Sequence, residues 1–267
     1  TAANVTLTPS NVLNVSNSSD DSKNANVYSQ ENNPQGVHFK PDGTKMFIVG
    51  DNNNSVRQYS LSTAWDSSTA NYDNLSHSVT SQEQDPRGIF FKSDGTKFYV
   101  VGEWTNSVFQ YSVNTAWDLT TTSYDNVTLS ASSQDGNIQG ITFNADGTKM
   151  YLMGYNNRRI YQYSLSTAWD LSTASYSNVS FFVGNESSYP REFDFNSDGT
   201  VILLLEDNAN KIVQYNLSTA YDISTASFNN IEYTLPSKTW EGISISSNND
   251  KVYVANRSNG RIDQFTL

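Results

Sequence analysis

Hydrophobic and polar positions alternate in blocks along this chain, and one block occurs five times. In its clearest copy a short apolar run, residues 89–91, is followed by the polar segment 92–96 (KSDGT) and by a second apolar run, residues 98–101. An Asp-Gly pair between two apolar runs is typical of a tight β-hairpin, because glycine adopts a positive φ without steric cost. The second run is apolar at successive positions, which predicts a strand covered on both faces.

The hairpin returns with a fixed period. The turn residues Asp42, Asp94, Asp146 and Asp198 lie 52 residues apart, and a degenerate fifth copy has Asn248 at the equivalent position. Two further strand-like runs follow each of the first four hairpins, separated by a polar Thr-Ala-Trp-Asp connection or its close variant. Four strands per repeat, with the first two apolar, predict the blades of a β-propeller, in which repeated units stack to bury a shared core.

The two ends of the chain predict how the ring closes. The last copy ends at its third strand, residues 262–267, whereas residues 24–29 align with 76–81, the fourth strand of the first repeat. We therefore expect an all-β, five-bladed propeller with four antiparallel strands per blade, closed by an N-terminal strand that completes the last blade. The predicted single domain, 1–267, comprises an N-terminal arm (1–23), a closing strand (24–33) and blades at 34–85, 86–137, 138–189, 190–239 and 240–267.

Composition and charge narrow the function. The formal net charge is −11, which disfavours binding to phosphate backbones, so no nucleic-acid partner is expected. The chain has no cysteine and two histidines, which excludes thiolate zinc sites, disulfides and histidine-rich metal sites. The Asp/Asn-rich loops 51–54 and 207–210 lack the spacing of a calcium loop, so no metal or other cofactor is expected.

The chain also lacks the signals of membrane insertion. It has no run of about 18 apolar residues, which a membrane-spanning helix would need. Its first residues show neither a basic region nor an apolar run, so we expect it to begin after a signal peptide or to lack one.

Residues shared by the repeats are expected to serve packing. One is a glutamine in the third strand: Gln58, Gln110, Gln162, Gln214 and Gln264. We expect this amide to be buried and to bridge backbone groups, although five equivalent ligand sites are an alternative. Another is the aromatic residue of the polar connection: Trp65, Trp117, Trp169 and Tyr221. We expect these rings to plug the outer ends of the blades, with stacking on sugars as the alternative.

Residues that differ between repeats indicate a recognition surface. The turns between the second and third strands and the connections between blades share one face, here called the variable face, and differ from blade to blade. The Asp-Gly turns and the Thr-Ala-Trp-Asp connections form the opposite, constant face. Loops on a rigid scaffold commonly carry recognition, although a generic solvated face is the alternative. The candidate ligand-binding residues are Trp104, Trp240, Tyr155, Tyr189, Arg87, Arg191, Asp85 and Glu241.

Polar residues interrupt the apolar first strand in two repeats. His38 and Asp194 occupy its middle position, and Glu192 replaces a glycine two residues before Asp194. A buried polar group without a partner is costly, so each is expected to have a partner, a bound water or a role. Alternatively, two of the three residues Asp194, Glu192 and Glu241 could act as the carboxylate pair of a glycoside hydrolase. The distance between the two carboxylates would then distinguish retaining from inverting chemistry.

The repeat phrase F-x-P/S-D-G-T-K followed by V-x-Q-Y-S-L-S-T-A-W-D resembles the repeat of β-propeller proteins from marine bacteria and their phages, over residues 24–267. It is distantly similar to the YVTN/YncE-like surface propellers. The resemblance implies the fold. Two five-bladed groups suggest functions by analogy, namely tachylectin-type lectins with one sugar site per blade and glycosidases with central carboxylates.

These observations predict a non-catalytic, lectin-like propeller, not an enzyme, that recognises a glycan or another cell-surface ligand through the variable face. The expected location is extracellular or virion-associated, and the isolated domain is expected to be a monomer without membrane insertion. A glycoside hydrolase-like enzyme with central carboxylates and a structural repeat domain of a phage tail or surface protein are the alternatives.

Overall fold

The computed structural model describes residues 13–267, which form five four-stranded antiparallel sheets. The first strand of each sheet contacts the first strands of both neighbouring sheets, so that five first strands surround a central axis. The predicted five-bladed propeller is therefore confirmed. Within the described range, no helix is long and apolar enough to cross a membrane.

The closing strand is β1 (Ser19–Asn26), and each blade otherwise follows the chain. Blade 1 contains β2 (Pro34–Phe39), β3 (Lys45–Gly50), β4 (Ser55–Leu61) and β5 (Ala70–Ser78). Blade 2 contains β6 (Pro86–Phe91), β7 (Lys97–Gly102), β8 (Ser107–Val113) and β9 (Thr122–Ser130). Blade 3 contains β10 (Ile138–Phe143), β11 (Lys149–Gly154), β12 (Arg159–Leu165) and β13 (Ala174–Phe182). Blade 4 contains β14 (Pro190–Phe195), β15 (Val201–Glu206), β16 (Lys211–Leu217) and β17 (Ala226–Thr234). Blade 5 contains β18 (Trp240–Ile245), β19 (Lys251–Asn256) and β20 (Arg261–Thr266).

Strand β1 completes blade 5 by pairing antiparallel with β20, from Ser19 opposite Thr266 to Asn26 opposite Arg261. This confirms closure by the N-terminus. The strand begins at Ser19, before the predicted segment 24–33. The first residues of β1 are polar, and outermost strands alternate between exposed and partly buried positions, so the hydrophobic pattern did not reveal where the strand begins. Residues 13–17, assigned to the predicted arm, belong to blade 5, whereas residues 1–12, including Val5, lie outside the described residues.

The core lies between blades, in five apolar clusters. Successive residues of a second strand point to opposite clusters: Met46 packs with blade 5 and Phe47 packs with blade 2. This explains why the second strands are apolar at every position, since both faces of each blade are covered. Ala25 and Val27 at the end of β1 are buried in the same cluster as Met46, so closure of the ring also buries apolar surface.

Short 3-10 turns precede the outermost strands, at Val15–Asn17, Ser67–Thr69, Leu119–Thr121, Leu171–Thr173 and Ile223–Thr225. The repeated glutamine of one blade accepts a hydrogen bond from the first N–H of the turn in the next blade. Gln264 accepts from Ser67 at 2.8 Å, and Gln214 accepts from Val15 at 2.8 Å. The same bond joins Gln58 to Leu119 and Gln110 to Leu171. The expectation of a buried amide that bridges backbone groups is confirmed in these four blades, and the bridge runs between blades.

Blade 3 breaks this pattern, which allows a matched test. The Oε1 of Gln162 has no hydrogen-bond partner among the described residues, whereas Gln110 also donates to Asp125 at 2.7 Å. We expect Gln110→Leu to lower the free energy of unfolding by about 1–3 kcal/mol, because it leaves the buried Leu171 N–H without an acceptor and removes one of three hydrogen bonds to the Asp125 carboxylate. Gln162→Leu should cost less than about 0.5 kcal/mol. Urea unfolding of both variants checks this, and equal losses would contradict the bridging role.

Candidate functional site

The middle residues of the five first strands face the central axis. They are His38, Phe90, Thr142, Asp194 and Ser244, and they border a cavity of about 210 Å³. The residues at the mouth belong to the Asp-Gly turns, including Pro41, Ser93 and Ser197, so the cavity opens on the constant face. Sequence variation pointed to the other face, whereas an aromatic-walled recess with a carboxylate in it lies here.

Aromatic rings form the walls of this cavity. Phe143 lies 5.2 Å from Phe90 and 5.3 Å from Trp169, and Phe195 lies 5.1 Å from Tyr221, between ring centroids. Each repeated tryptophan or tyrosine packs on the glycine of its own Asp-Gly turn; a Cβ added to Gly43 would lie 2.4 Å from the Trp65 ring. The expectation that these rings serve packing is confirmed, but their expected place at the outer ends of the blades is wrong for Trp65, Trp169 and Tyr221, which line the central cavity.

Asp194 is the charged residue of the cavity. Its Oδ2 accepts a hydrogen bond from the Ile245 N–H at 3.0 Å, and its Oδ1 accepts from the Phe195 N–H at 2.9 Å and the Thr142 hydroxyl at 3.2 Å. Blades 3, 4 and 5 thus hold one carboxylate in place. Burial raises the pKa of Asp194 to about 6, although the three hydrogen bonds act in the opposite direction. A carboxylate with a pKa near neutrality is suited to general-base chemistry.

Glu192 closes the channel next to Asp194. It occupies a position that is glycine in the other four blades, and those glycines make room for its side chain. A Cβ at Gly140 would lie 2.9 Å from Cγ of Glu192, and one at Gly242 would lie 3.0 Å from its Oε2. Oε2 accepts a hydrogen bond from the Ile243 N–H at 3.0 Å, and burial raises the pKa of Glu192 well above its usual value.

His38 lies on the wall of the same cavity, with its ring 4.8 Å from the Phe90 ring in an edge-on arrangement. Desolvation lowers the pKa of His38 to about 3. The imidazole is therefore neutral at physiological pH and offers one N–H donor without adding charge.

On the variable face, four of the predicted site residues form ion pairs in two separate groups. Arg87 pairs with Asp85 at 2.9 Å, and Arg191 pairs with Glu241 at 3.3 Å. The first group also contains Gln35, Asp51, Glu103, Asn137 and Gln139. The second group also contains Asp207 and Arg257. We call the residues of both groups the polar ring. Each of its three arginines has an acidic partner within its own group.

The four aromatic candidates do not form a common platform. Tyr155 lies beside the Arg191 guanidinium, at 5.7 Å, and 5.8 Å from Tyr189, so these rings approach the polar ring. Trp104 is 67% exposed. Trp240 is fully buried, packs against Phe265 and donates from Nε1 to the Pro236 carbonyl at 3.0 Å, so it offers no ring face to a ligand.

The burial of Trp240 could have been found from the repeat. It is the first residue of β18, and its equivalents in the other blades are Pro34, Pro86, Ile138 and Pro190, which are all buried. The polar segment 237–239 that precedes Trp240 indicated a connecting loop. Alignment to the other four copies was the stronger signal.

The fold and the cavity define a propeller with a carboxylate in an aromatic central pocket. Residues 18–237 match the family described as "Lactonase, 7-bladed beta-propeller", and the chain belongs to that family. The family description gives seven blades, whereas this chain closes with five. The predicted relation to propeller proteins is thus confirmed, while the closer likeness to marine bacterial and phage repeats stays a prediction. No curated protein sequence matches the chain.

Several solved structures share the fold. A candidate 6-phosphogluconolactonase from Bacteroides uniformis is 15% identical, with a TM-score of 0.51 over 76% of this chain and 55% of its own. A second, from Bacteroides fragilis, is 13% identical, with a TM-score of 0.52 over 88% of this chain and 67% of its own. A luciferin-regenerating enzyme is 12% identical, with a TM-score of 0.52 over 93% of this chain and 94% of its own. This chain thus spans about half the length of the Bacteroides uniformis protein.

These findings correct the predicted function. Membership of the lactonase family points to a hydrolase-like enzyme. The prediction of a non-catalytic, lectin-like glycan binder was wrong, and so was the prediction that the protein is not an enzyme. Both predictions gave more weight to the variation of the loops on the variable face than to the polar residues of the central cavity. The predicted location and monomeric state stay predictions.

Proposed function

We propose that this protein hydrolyses a small cyclic ester, a lactone, in the central cavity of the constant face. The observation that carries the proposal is Asp194, held by three blades in an aromatic pocket with a pKa raised to about 6. The largest apolar recess that contains a residue of perturbed pKa is the usual location of an active site. Membership of the lactonase family supports the choice of a lactone.

In the proposed reaction, the Asp194 carboxylate takes a proton from a water molecule as the water oxygen bonds to the lactone carbonyl carbon. The ring C–O bond then breaks, and the proton returns from Asp194 to the leaving alkoxide. One lactone and one water give one hydroxy acid, without a further reactant. Ser244 and the neutral His38 line the cavity and are available to donate hydrogen bonds to the carbonyl oxygen.

The ionisation of Asp194 predicts the pH profile. The carboxylate must be deprotonated to act as a base, so we expect kcat/KM for an uncharged lactone to rise with pH through about 6 and to level off above about 7. The rates would be measured between pH 4.5 and 8 and corrected for spontaneous hydrolysis without protein. Hydrolysis with a flat profile from pH 5 to pH 7 would contradict the role of Asp194.

A further inference from the structure

The cavity has one ionised side chain at neutral pH, and it is negative. Among residues 13–267, the side chains that line it include no lysine, arginine or glutamate, and His38 is neutral. An anionic substrate would therefore meet the Asp194 carboxylate without a cation to compensate its charge. Burying a charge without a partner costs several kcal/mol, so this cavity disfavours anions.

The rim of the cavity is also close to neutral. Lys40 and Lys92 follow the first strands of blades 1 and 2, but each pairs with the aspartate of its own turn, Asp42 or Asp94, at 2.7 Å. The equivalent residues of the other three blades are Asn144, Asn196 and Ser246, which are uncharged and line the cavity. Each of these two lysines thus has an acidic partner in its own turn.

The walls favour flat, apolar groups. Trp169 stacks near Phe90 and Phe143, with interplanar angles of 13° and 30°. The volume of about 210 Å³ exceeds that of an engineered apolar protein cavity of about 150 Å³ that binds benzene. A molecule with one aromatic ring fused to a small lactone therefore fits by size and by surface.

We infer that the substrate is an uncharged lactone that carries a flat apolar group, and that the cavity excludes phosphorylated sugar lactones. The inference rests on the proposed function, whose reaction it leaves unchanged. The product of hydrolysis is a carboxylate formed beside Asp194, and the repulsion between the two negative groups favours product release. The selectivity thus follows from the absence of a cation and from the aromatic walls.

The test compares three lactones with the purified protein: 3,4-dihydrocoumarin, which is uncharged and aromatic; glucono-δ-lactone, which is uncharged and polar; and 6-phosphoglucono-δ-lactone. We expect kcat/KM for dihydrocoumarin to exceed that for the phosphorylated lactone by at least about 100-fold, because a buried phosphate would lack a partner. Trp169→Leu should raise KM for dihydrocoumarin by about 10-fold, the scale of a lost aromatic contact. Tyr28→Leu, at an exposed residue of the variable face, should leave KM unchanged.

Binding is measured in parallel, because it separates this inference from the proposed reaction. The probe is 2-tetralone, the carbocyclic analogue of dihydrocoumarin that cannot be hydrolysed, and the readout is quenching of tryptophan fluorescence. Because Trp65 also lines the cavity, Trp169→Leu should reduce the quenching and raise the apparent Kd by about 10-fold. Hydrolysis of either sugar lactone at a rate equal to or above that of dihydrocoumarin would overturn the inference about the substrate but would agree with the proposed hydrolase activity. A preference for the phosphorylated lactone would favour a substrate site at the arginines of the polar ring. No hydrolysis of any lactone, with 2-tetralone still bound through Trp169, would overturn the hydrolase and support the apolar ligand class. Neither hydrolysis nor binding would overturn both.

Discussion

Asp194→Asn is expected to lower kcat/KM for an uncharged lactone by about 10²–10⁴-fold, because asparagine fills the same space but cannot accept a proton from water. The substitution keeps one of the two oxygens that accept hydrogen bonds from Thr142, Phe195 and Ile245. The pH dependence near pH 6 should disappear together with the activity. Steady-state kinetics between pH 6 and 8 measures both effects.

The stability of this variant separates catalysis from folding. The folded-state pKa of Asp194 is raised above its unfolded value, so its stabilising contribution is present at low pH and is lost as the pH rises through about 6. Above that pH, asparagine removes a disfavoured buried charge while it loses hydrogen bonds to that charge. We expect the two effects to offset one another to within about 1 kcal/mol at pH 7.5.

The matched control is Asp20→Asn, the same change at an exposed residue of β1, which should alter neither activity nor stability. Unchanged activity in a folded Asp194→Asn protein would reject Asp194 as the base. A protein that has lost activity because it no longer folds would be recognised from its thermal unfolding curve and would not count as support.

Trp240→Ala is expected to lower the free energy of unfolding by about 3–5 kcal/mol, the usual cost of truncating a large buried aromatic side chain. Trp240 is fully buried between blades 4 and 5 and packs with Leu13, Val15 and Phe265. Its loss would open a cavity next to the strand that closes the ring and would leave the Pro236 carbonyl without its indole donor. Urea denaturation followed by circular dichroism measures the change.

Trp104→Ala provides the comparison, since both tryptophans were candidates for the same ligand site. Trp104 is 67% exposed on the variable face, and a substitution there should change stability by no more than about 0.5 kcal/mol. Losses of similar size in the two variants would show that Trp240 does not belong to the core. A large loss for Trp240 alone would confirm that repeat position, rather than residue type, determines its role.

Much of the backbone could be predicted from local sequence. The Asp-Gly turns, the doubly covered second strands and the 52-residue period each depend on residues close together in the chain, and they lead directly to five blades. Closure could also be predicted, because residues 24–29 align with the missing fourth strand. The packing roles of the repeated glutamine and tryptophan followed from their presence in nearly every blade.

The site could be predicted only in part. His38, Glu192 and Asp194 stood out as polar residues in an apolar strand, but their sequence neighbours do not reveal what surrounds them. The position of the Asp194 carboxylate depends on hydrogen bonds from Thr142 of blade 3 and Ile245 of blade 5, each about one repeat away in the chain. Glu192 fits because glycines from other blades surround it.

The sequence by itself determined the repeat and the strand order within each blade, because these follow from hydrogen bonding and burial within about 50 consecutive residues. It also determined the closure of the ring, because residues 24–29 align with the fourth strand that the last copy lacks. Only the tertiary structure decided which face holds the cavity and which carboxyl groups have raised pKa values. Those properties arise where five first strands meet at the axis. There, dielectric environment and packing are set by residues one or more repeats away in the chain.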